Sequence, residues 1–519
     1  MSLTHLIERV ARVDPKGLAV VCGNRDTTWQ ELQQRIAKLA GALQKLGVEP
    51  GDRVAILALN SDRYYEYFFA VFWAGGVAVP MNTRWSVPEN IYSIEDCGPK
   101  VLIVDDAFVD HARRITDGTE LVKTLIYSGD GDTPEDMLNF EALIAETEPV
   151  QDVSRAYGDL ATIFYTGGTT GFPKGVMLSH GNLLANGLIS AADRGGSKDG
   201  VYLHIAPLFH LGGFGGVIYM TVMGCTQVFA PSFDPKVMLE IIEKYQVSDT
   251  TLIVVMIKML IEHPDFDKYD VSSLKNILYG GAPIPVELLR EAMIKLPNVS
   301  FTQALGQTEM SPGIAFLMPD DHDPEGPNAH RLRSAGRPAM GVAIKVVDEK
   351  LQEVPLGETG EFMVTGPNAM MGYWNKPEQT AETLINGWIL TGDAGYMDED
   401  GYIYLKDRVK DMIVSGGENI YSAEVENAVT SHAAVDQAVV IGIPSEKWGE
   451  TVHAIVILKD GCELHEEELI GHCKSLIASY KCPRSVEFRT EPFPFSGVAK
   501  VQKNELRKPY WEGQDRSIS

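Results

Sequence analysis

Short hydrophobic runs rich in Val, Ile and Leu alternate along the chain with longer stretches whose apolar residues recur at helical spacing. That alternation predicts stacked βαβ units with mainly parallel sheet. Trp29 to Leu46 reads as a helix stopped by Gly47, Arg53 to Leu59 as a strand, the segment through Phe72 as a helix and Val77 to Pro80 as a strand; Lys100 to Val104 and Leu121 to Tyr127 continue the series. Between Gly129 and Asp159 the acids Asp130, Asp132, Glu135, Asp136, Glu141, Glu146, Glu148, Asp152 and Asp159 face one base, Arg155, which predicts a solvated connector.

A second series opens at Leu160 to Tyr165 and runs through Leu252 to Val255, Ile277 to Tyr279 and Val299 to Ala304. Ala343 to Val347, Gly360 to Thr365 and Tyr402 to Leu405 are shorter strands divided by Gly and Pro turns, as in a small barrel or meander. After Asp407 the pattern becomes compact again: Ser422 to Ser431 and Glu463 to Ala478 read as helices, Val435 to Ile441 and Thr451 to Leu458 as strands. The expected class is α/β: a large N-terminal domain of stacked βαβ sheets with a small β-barrel-like part, residues 1–409, and a small mobile α+β C-terminal domain, residues 410–519.

Val201 to Phe233 carries no Asp, Glu, Lys or Arg, and at about 33 residues it exceeds the roughly 20 that span a bilayer. Pro207, Pro231, His204, His210 and a run of glycines interrupt it, and basic flanks are missing, so it reads as buried core rather than a membrane span. With 45 basic against 71 acidic residues the net charge is −26. Such a balance repels phosphate backbones and anionic surfaces and argues against nucleic acid as the main partner. Six cysteines without a Cys-x-x-Cys pair, and an amphipathic N-terminus unlike a secretory leader, point to reduced thiols in a cytoplasm.

The strand Leu160 to Tyr165 runs into Thr166-Gly167-Gly168-Thr169-Thr170-Gly171-Phe172-Pro173-Lys174-Gly175. Glycines let the backbone close around an anion and aim amides at it, threonine hydroxyls add donors, and Lys174 adds charge: a phosphate cradle, without the Gly-Lys-Ser/Thr triplet of a Walker A loop. YTGGTTGFPKG closely resembles the phosphate-loop signature of the adenylate-forming superfamily of acyl-CoA synthetases, luciferases and nonribosomal adenylation domains. ALGQTE at 304–309, TGD at 391–393, KDRVKDMIVSGGENIY at 406–421 and SGVAKVQK at 496–503 follow in the superfamily's order across nearly the whole chain.

The resemblance implies a role for each matching residue. A carboxylate attacking the α-phosphorus of ATP brings two anions together, so positive charge is required. Thr308 would touch the α-phosphate, and Glu309, with Thr166, would hold Mg2+. Asp393 would accept the ribose hydroxyls, and Arg408 would reach the ribose from across the domain junction. Gly281, Ala282 and Pro283 belong to a loop that would admit the adenine. Lys500 matches the adenylation lysine, although Val498-Ala499 stands where the family has Thr-Gly or Ser-Gly; Lys503 is the neighbouring alternative. Lys410 would be the hinge, Gly416 and Gly417 the pantetheine tunnel, and Trp448 the platform for the adenine of coenzyme A.

Amino-acid adenylation domains carry Phe-Asp where this chain has Phe209-His210, and without that aspartate the substrate's α-ammonium would have no partner. The resemblance therefore implies a carboxylic acid lacking that amine, with His210 gating the carboxylate and Phe209, Gly212, Gly213, Met256 and Leu305 lining the acyl pocket. The chain closes shortly after Lys500, which leaves no room for an appended carrier domain and makes coenzyme A the expected thiol acceptor. The expected activity is ATP-dependent ligation of a medium-chain fatty or aromatic acid to coenzyme A through an acyl-adenylate, by a cytoplasmic protein that could be a homodimer. The alternatives are a luciferase-like oxidative activity, a stand-alone adenylating enzyme loading another acceptor, and a non-catalytic acyl-adenylate or AMP sensor; a sensor should have lost Lys500 or Glu309, and both are present.

Overall fold

The computed structural model describes residues 1–166, 173–281, 284–415, 418–445, 447–495 and 501–512. Packing divides the chain into two units: Met1–Thr166, Phe172–Ile344 and Val364–Ile389 in the first, Lys345–Met363 and Leu390–Ser519 in the second.

The first unit is built on two large sheets. In one, Arg53–Leu57 lies between Val77–Pro80 and Val101–Val104, all parallel, and Leu160–Thr166 joins next to Val77–Pro80 before turning antiparallel into Lys174–Ser179. In the other, Thr226–Phe229, Val201–His204, Asp249–Ile253, Asn276–Gly280 and Ser300–Gly306 run parallel side by side, and Gly313–Leu317 closes back antiparallel on Ser300–Gly306. Because parallel strands are buried on both faces, they read as unbroken apolar runs such as Val101–Val104, every residue of which is buried. The helix Asp62–Trp73 is buried over its whole length, aromatic nearly all round, as a helix enclosed by core must be.

The charge-free stretch folds as a strand, Val201–His204, a helix of 13 residues, Leu211–Met223, and a strand, Thr226–Phe229. Among the described residues no helix is long and apolar enough to cross a membrane. Two local expectations need correction. Leu252 to Val255 does not stay extended: the strand ends at Ile253 and a helix begins at Val254, because a run this short has no period that separates a strand from a buried helix start. The acidic segment after Gly129 is no mere solvated connector. Met137, Phe140 and Ile144 are buried, and its acids find bases elsewhere in the chain: Arg25 and Arg63 both reach Asp130, at 2.6 and 2.9 Å, and Arg35 and Arg63 both reach Glu141, at 2.9 Å. Counting charges inside the segment could not show that.

The Gly- and Pro-divided strands form a five-stranded sheet ordered Ala343–Val347, Gly360–Thr365, Trp388–Met397, Leu384–Ile385, with Ile403–Arg408 also on Trp388–Met397, an open meander. In the second unit, Val435–Ser445 and Gly449–Leu458 are an antiparallel pair, Ser485–Phe488 adds in parallel through the helix Glu466–Leu476, and Val425, Val429, Val452, Ala454, Leu469 and Cys473 make their common core.

Candidate active site

Two strands bracket the glycine-rich turn. Gly167, Gly168, Thr169, Thr170 and Gly171 lie outside the described residues, but both flanks are well fixed. Thr166 stands opposite Lys174 in the ladder, and its hydroxyl donates to the Lys174 carbonyl at 3.5 Å. The Tyr165 hydroxyl ties the strand to Asp96 Oδ2 at 2.7 Å, and opposite Tyr165 in the ladder only Gly175 fits, since a Cβ there would meet Ile163 at 2.7 Å and the Tyr165 ring at 3.1 Å.

Lys174 extends its ammonium over the ring of Tyr373, 4.8 Å from the centroid. Tyr373 arrives on the short strand Gly372–Tyr373, paired antiparallel to Val176 and Met177, and its hydroxyl donates to Glu309 Oε1 at 2.8 Å. The Glu309 carbonyl accepts the Met370 amide at 2.8 Å, so backbone and side chain both hold the turn Thr308–Met310, in which Thr308 is buried. Three segments far apart in sequence thus bring Lys174, Tyr373 and Glu309 together. Burial, with the Glu309 carboxylate beside it, pushes the Tyr373 phenol above its ordinary value. Sequence reading missed Tyr373; one tyrosine in a turn-rich stretch carries no chemical signature. As for a metal, Glu309 commits one oxygen to Tyr373 and keeps the other, a hard donor of the kind Mg2+ takes, so these residues fit that ion.

On the acid side, His210 caps the helix Leu211–Met223, its Nδ1 accepting the Gly212 amide at 3.1 Å, which places the proton of the neutral ring on Nε2. Phe209 and Met256 are buried, and Leu305 is half-buried on Ser300–Gly306. Gly213 departs from a simple pocket lining, because a Cβ there would collide with the carbonyls of Pro207 and Ala206. Its bare Cα is needed for packing. Gly281 adopts φ +85° with open space where a Cβ would be, while Ala282 and Pro283 lie outside the described residues.

In the second unit Asp393 and Arg408 are partners on adjacent antiparallel strands, joined by a 2.7 Å ion pair. Arg408 therefore reaches Asp393 from the neighbouring strand of one ladder. Gly392, at φ +72°, makes the bend before Asp393, and its amide donates to Glu361 Oε1 at 2.9 Å. Burial, with Asp393 close by, raises the Glu361 carboxyl. Lys410 follows in the turn after Arg408, its carbonyl held by Arg507 at 3.4 Å. Trp448 has Lys447 and Arg484 at its ring, 4.6 and 4.7 Å from the centroid, two cations the sequence reading did not single out. Lys503 is committed to Glu426 at 2.8 Å and to the Ser422 hydroxyl at 2.5 Å. Lys500, Gly416 and Gly417 lie outside the described residues.

Lys174 and Glu309 brought together in the first unit, and the Asp393–Arg408 pair in the second, are residue types that nucleotide-dependent acid activation can use. Comparison with known proteins agrees. Residues 7–374 match the AMP-binding enzymes and residues 424–500 the AMP-binding enzyme C-terminal domain. A feruloyl-CoA synthase of Amycolatopsis is 37% identical over 97% of this chain and 98% of its own. A fatty acid–[acyl-carrier-protein] ligase of Streptomyces coeruleorubidus is 34% identical over 98% of this chain and 96% of its own. Among solved structures, the o-succinylbenzoate CoA synthetase of Bacillus subtilis with its acyl-adenylate intermediate superposes with a TM-score of 0.85 at 31% identity, covering 96% of this chain and 97% of that one. The chain belongs to the AMP-binding enzymes. It is an AMP-forming ligase of that family, joining a carboxylic acid to coenzyme A by way of an acyl-adenylate.

Proposed function

We propose that the acid is a medium-chain fatty or aromatic acid without an α-ammonium, activated with Mg2+ and ATP and passed to coenzyme A by a cytoplasmic enzyme, which as a homodimer would repeat the same site in each copy. The observation that carries the acid class is His210. An imidazole that spends Nδ1 on its own helix carries no negative charge to pair with an ammonium brought there. Lys174 and the turn around 167–171 receive the leaving pyrophosphate, Thr308 contacts the α-phosphate, and Glu309 with Thr166 holds Mg2+, which when bound neutralises phosphate charge. Asp393 accepts the ribose hydroxyls once Arg408 shifts from it, and Gly281, Ala282 and Pro283 flank the adenine. Lys500 bridges the two anions as the mixed anhydride forms.

Thioester formation then needs Gly416 and Gly417 beside the same carbonyl. Residues 410–519 therefore pivot at Lys410 between the two half-reactions, a change that few residues need absorb. Trp448 with Lys447 and Arg484 offers an aromatic face and two cations, which suits the adenine and phosphates of coenzyme A. The rival reading loads a carrier protein, as the Streptomyces relative's name says of that protein. Pyrophosphate release measured across a panel of acids, with and without coenzyme A, separates them. Octanoate or an aryl acid should be consumed to its thioester, while α-amino acids should not; amino-acid-dependent exchange at a comparable rate would overturn the reading.

A further inference from the structure

The acid-binding face is mostly glycine and hydrocarbon, and one buried polar group on it is only half used. Asn186, in the helix His180–Arg194, is 3% exposed. Its Oδ1 accepts the Gly313 amide at 3.0 Å. Since an amide N–H must meet the oxygen end, that bond also fixes which end of the carboxamide is nitrogen. Among the described residues Asn186 makes no other hydrogen bond, so the two N–H groups of Nδ2 are left over.

What surrounds them follows from Gly215. A Cβ placed on Gly215 would lie 3.8 Å from Asn186 Nδ2 and 3.1 Å from Pro312 Cδ. Nδ2 therefore lies beside Gly215, where the helix Leu211–Met223 comes close to Pro312. The same two segments carry the groups assigned above to the substrate's carboxylate end: His210 caps that helix, and Thr308 and Glu309 precede Pro312 by a single short turn. An acid held by those groups with its tail along this helix would bring that tail to Asn186.

We propose that Asn186 Nδ2 is a specificity determinant that donates to an oxygen on the acid's tail, so that the preferred substrates are acids bearing a hydroxyl, ether or carbonyl oxygen beyond the carboxylate, foremost oxygenated aryl acids, rather than plain alkanoates. This rests on the ligase reading above. A buried donor loses its water when the pocket fills, and only a tail with an acceptor replaces it, which is why sites built to hydrogen-bond a substrate discriminate strongly against analogues lacking the acceptor.

The test uses acids matched in size and differing in the acceptor: 3- and 4-methoxybenzoate against 3- and 4-ethylbenzoate, and 7-oxooctanoate against octanoate. In wild type the better oxygenated member of a pair should exceed its hydrocarbon partner in kcat/KM by about tenfold or more. Asn186→Leu should bring that ratio close to one. Asn186→Asp keeps an acceptor for the Gly313 amide, removes the donor, and should also abolish the preference. A merely structural Asn186 would lower both members alike and leave the ratio intact, which would overturn the proposal, as would equal turnover of all pairs by wild type. Should the variants not fold, affinities of the wild-type enzyme for the sulfamoyl-adenosine analogues of each pair give the same ratio by calorimetry. If no acid released pyrophosphate, the ligase reading itself would fall; if acids reacted without preference, only the Asn186 assignment would.

Discussion

Tyr373 gives its hydroxyl to Glu309 and its ring face to Lys174, and these two bonds can be separated by substitution. Phenylalanine keeps the ring under the ammonium and removes the donor that orients the carboxylate. Outer partners of a metal-holding group typically cost about 10- to 100-fold in metal affinity when lost. Tyr373→Phe should therefore weaken Mn2+ binding in the presence of ATP by that order, read by electron paramagnetic resonance, and slow adenylation in parallel. Unchanged Mn2+ affinity would remove Glu309 from the metal's shell. Lys174 stands out by its type within a segment dense in glycine and threonine, whereas Thr308, Glu309, Asp393 and Arg408 are singled out in the sequence only through the family resemblance of the motifs around them. Tyr373, Asn186 and Glu361 are not, because each acts through a partner more than 30 positions away and none has an unusual neighbourhood in sequence.

Among elements, the helix Leu211–Met223 shows how a glycine cluster can be misread. Gly212, Gly213, Gly215 and Gly216 look alike in sequence, yet each faces something different. A Cβ would meet His210 Nδ1 at 3.2 Å from Gly212, the Tyr202 hydroxyl at 2.8 Å from Gly216, and Pro312 from Gly215; from Gly213 it would strike backbone. Only a flexible side chain can yield, so Gly213→Ala should be the most costly of the four, by about 1–3 kcal/mol as overpacking usually is, seen as a lower urea midpoint at unchanged slope. A stability equal to that of Gly215→Ala would show that the helix start can shift freely. The positions of many core strands were readable from apolar runs, while their order in the sheets was not. The helix start at Val254 and the pairing of the acidic segment depended on tertiary partners.

At the scale of the molecule, two histidines buried in the first unit contribute to its response to acid. Burial lowers His180 to about 4 and His204 to about 3, against an ordinary 6.5. His180 Nε2 has no partner in the described residues, and His204 Nε2 bonds Gln227 Oε1 at 2.8 Å. Both rings are neutral when folded. Between pH 6.5 and 4 the unfolded chain protonates these two rings while the folded chain refuses, so their own contribution to stability rises with pH across that window, by up to about 1.4 kcal/mol per pH unit for each ring, while Glu66 and Asp105, whose carboxyls burial raises to about 7 and about 6, contribute with the opposite sign. In urea unfolding at pH 7, 6 and 5, wild type should lose more stability, or gain less, on acidification than a His180→Asn, His204→Gln double variant. An identical slope in that variant would mean that carboxylates govern the transition.

The arginines that grip the acidic segment have a consequence for the chain's continuity. Arg63 holds the carbonyls of Ser128 and Gly129 at 2.9 and 2.8 Å, Asp130 is shared with Arg25, and Glu141 is clasped by Arg35 and Arg63. The peptide between Asp130 and Glu141 is thus fastened at both ends to the helices Trp29–Lys45 and Asp62–Trp73 or to the strand Arg25–Thr28. A protease cut near Asp132 would sever the covalent chain without loosening either end, and the two fragments should stay together as a complex, making this turn a natural place to split the enzyme into halves that reassemble.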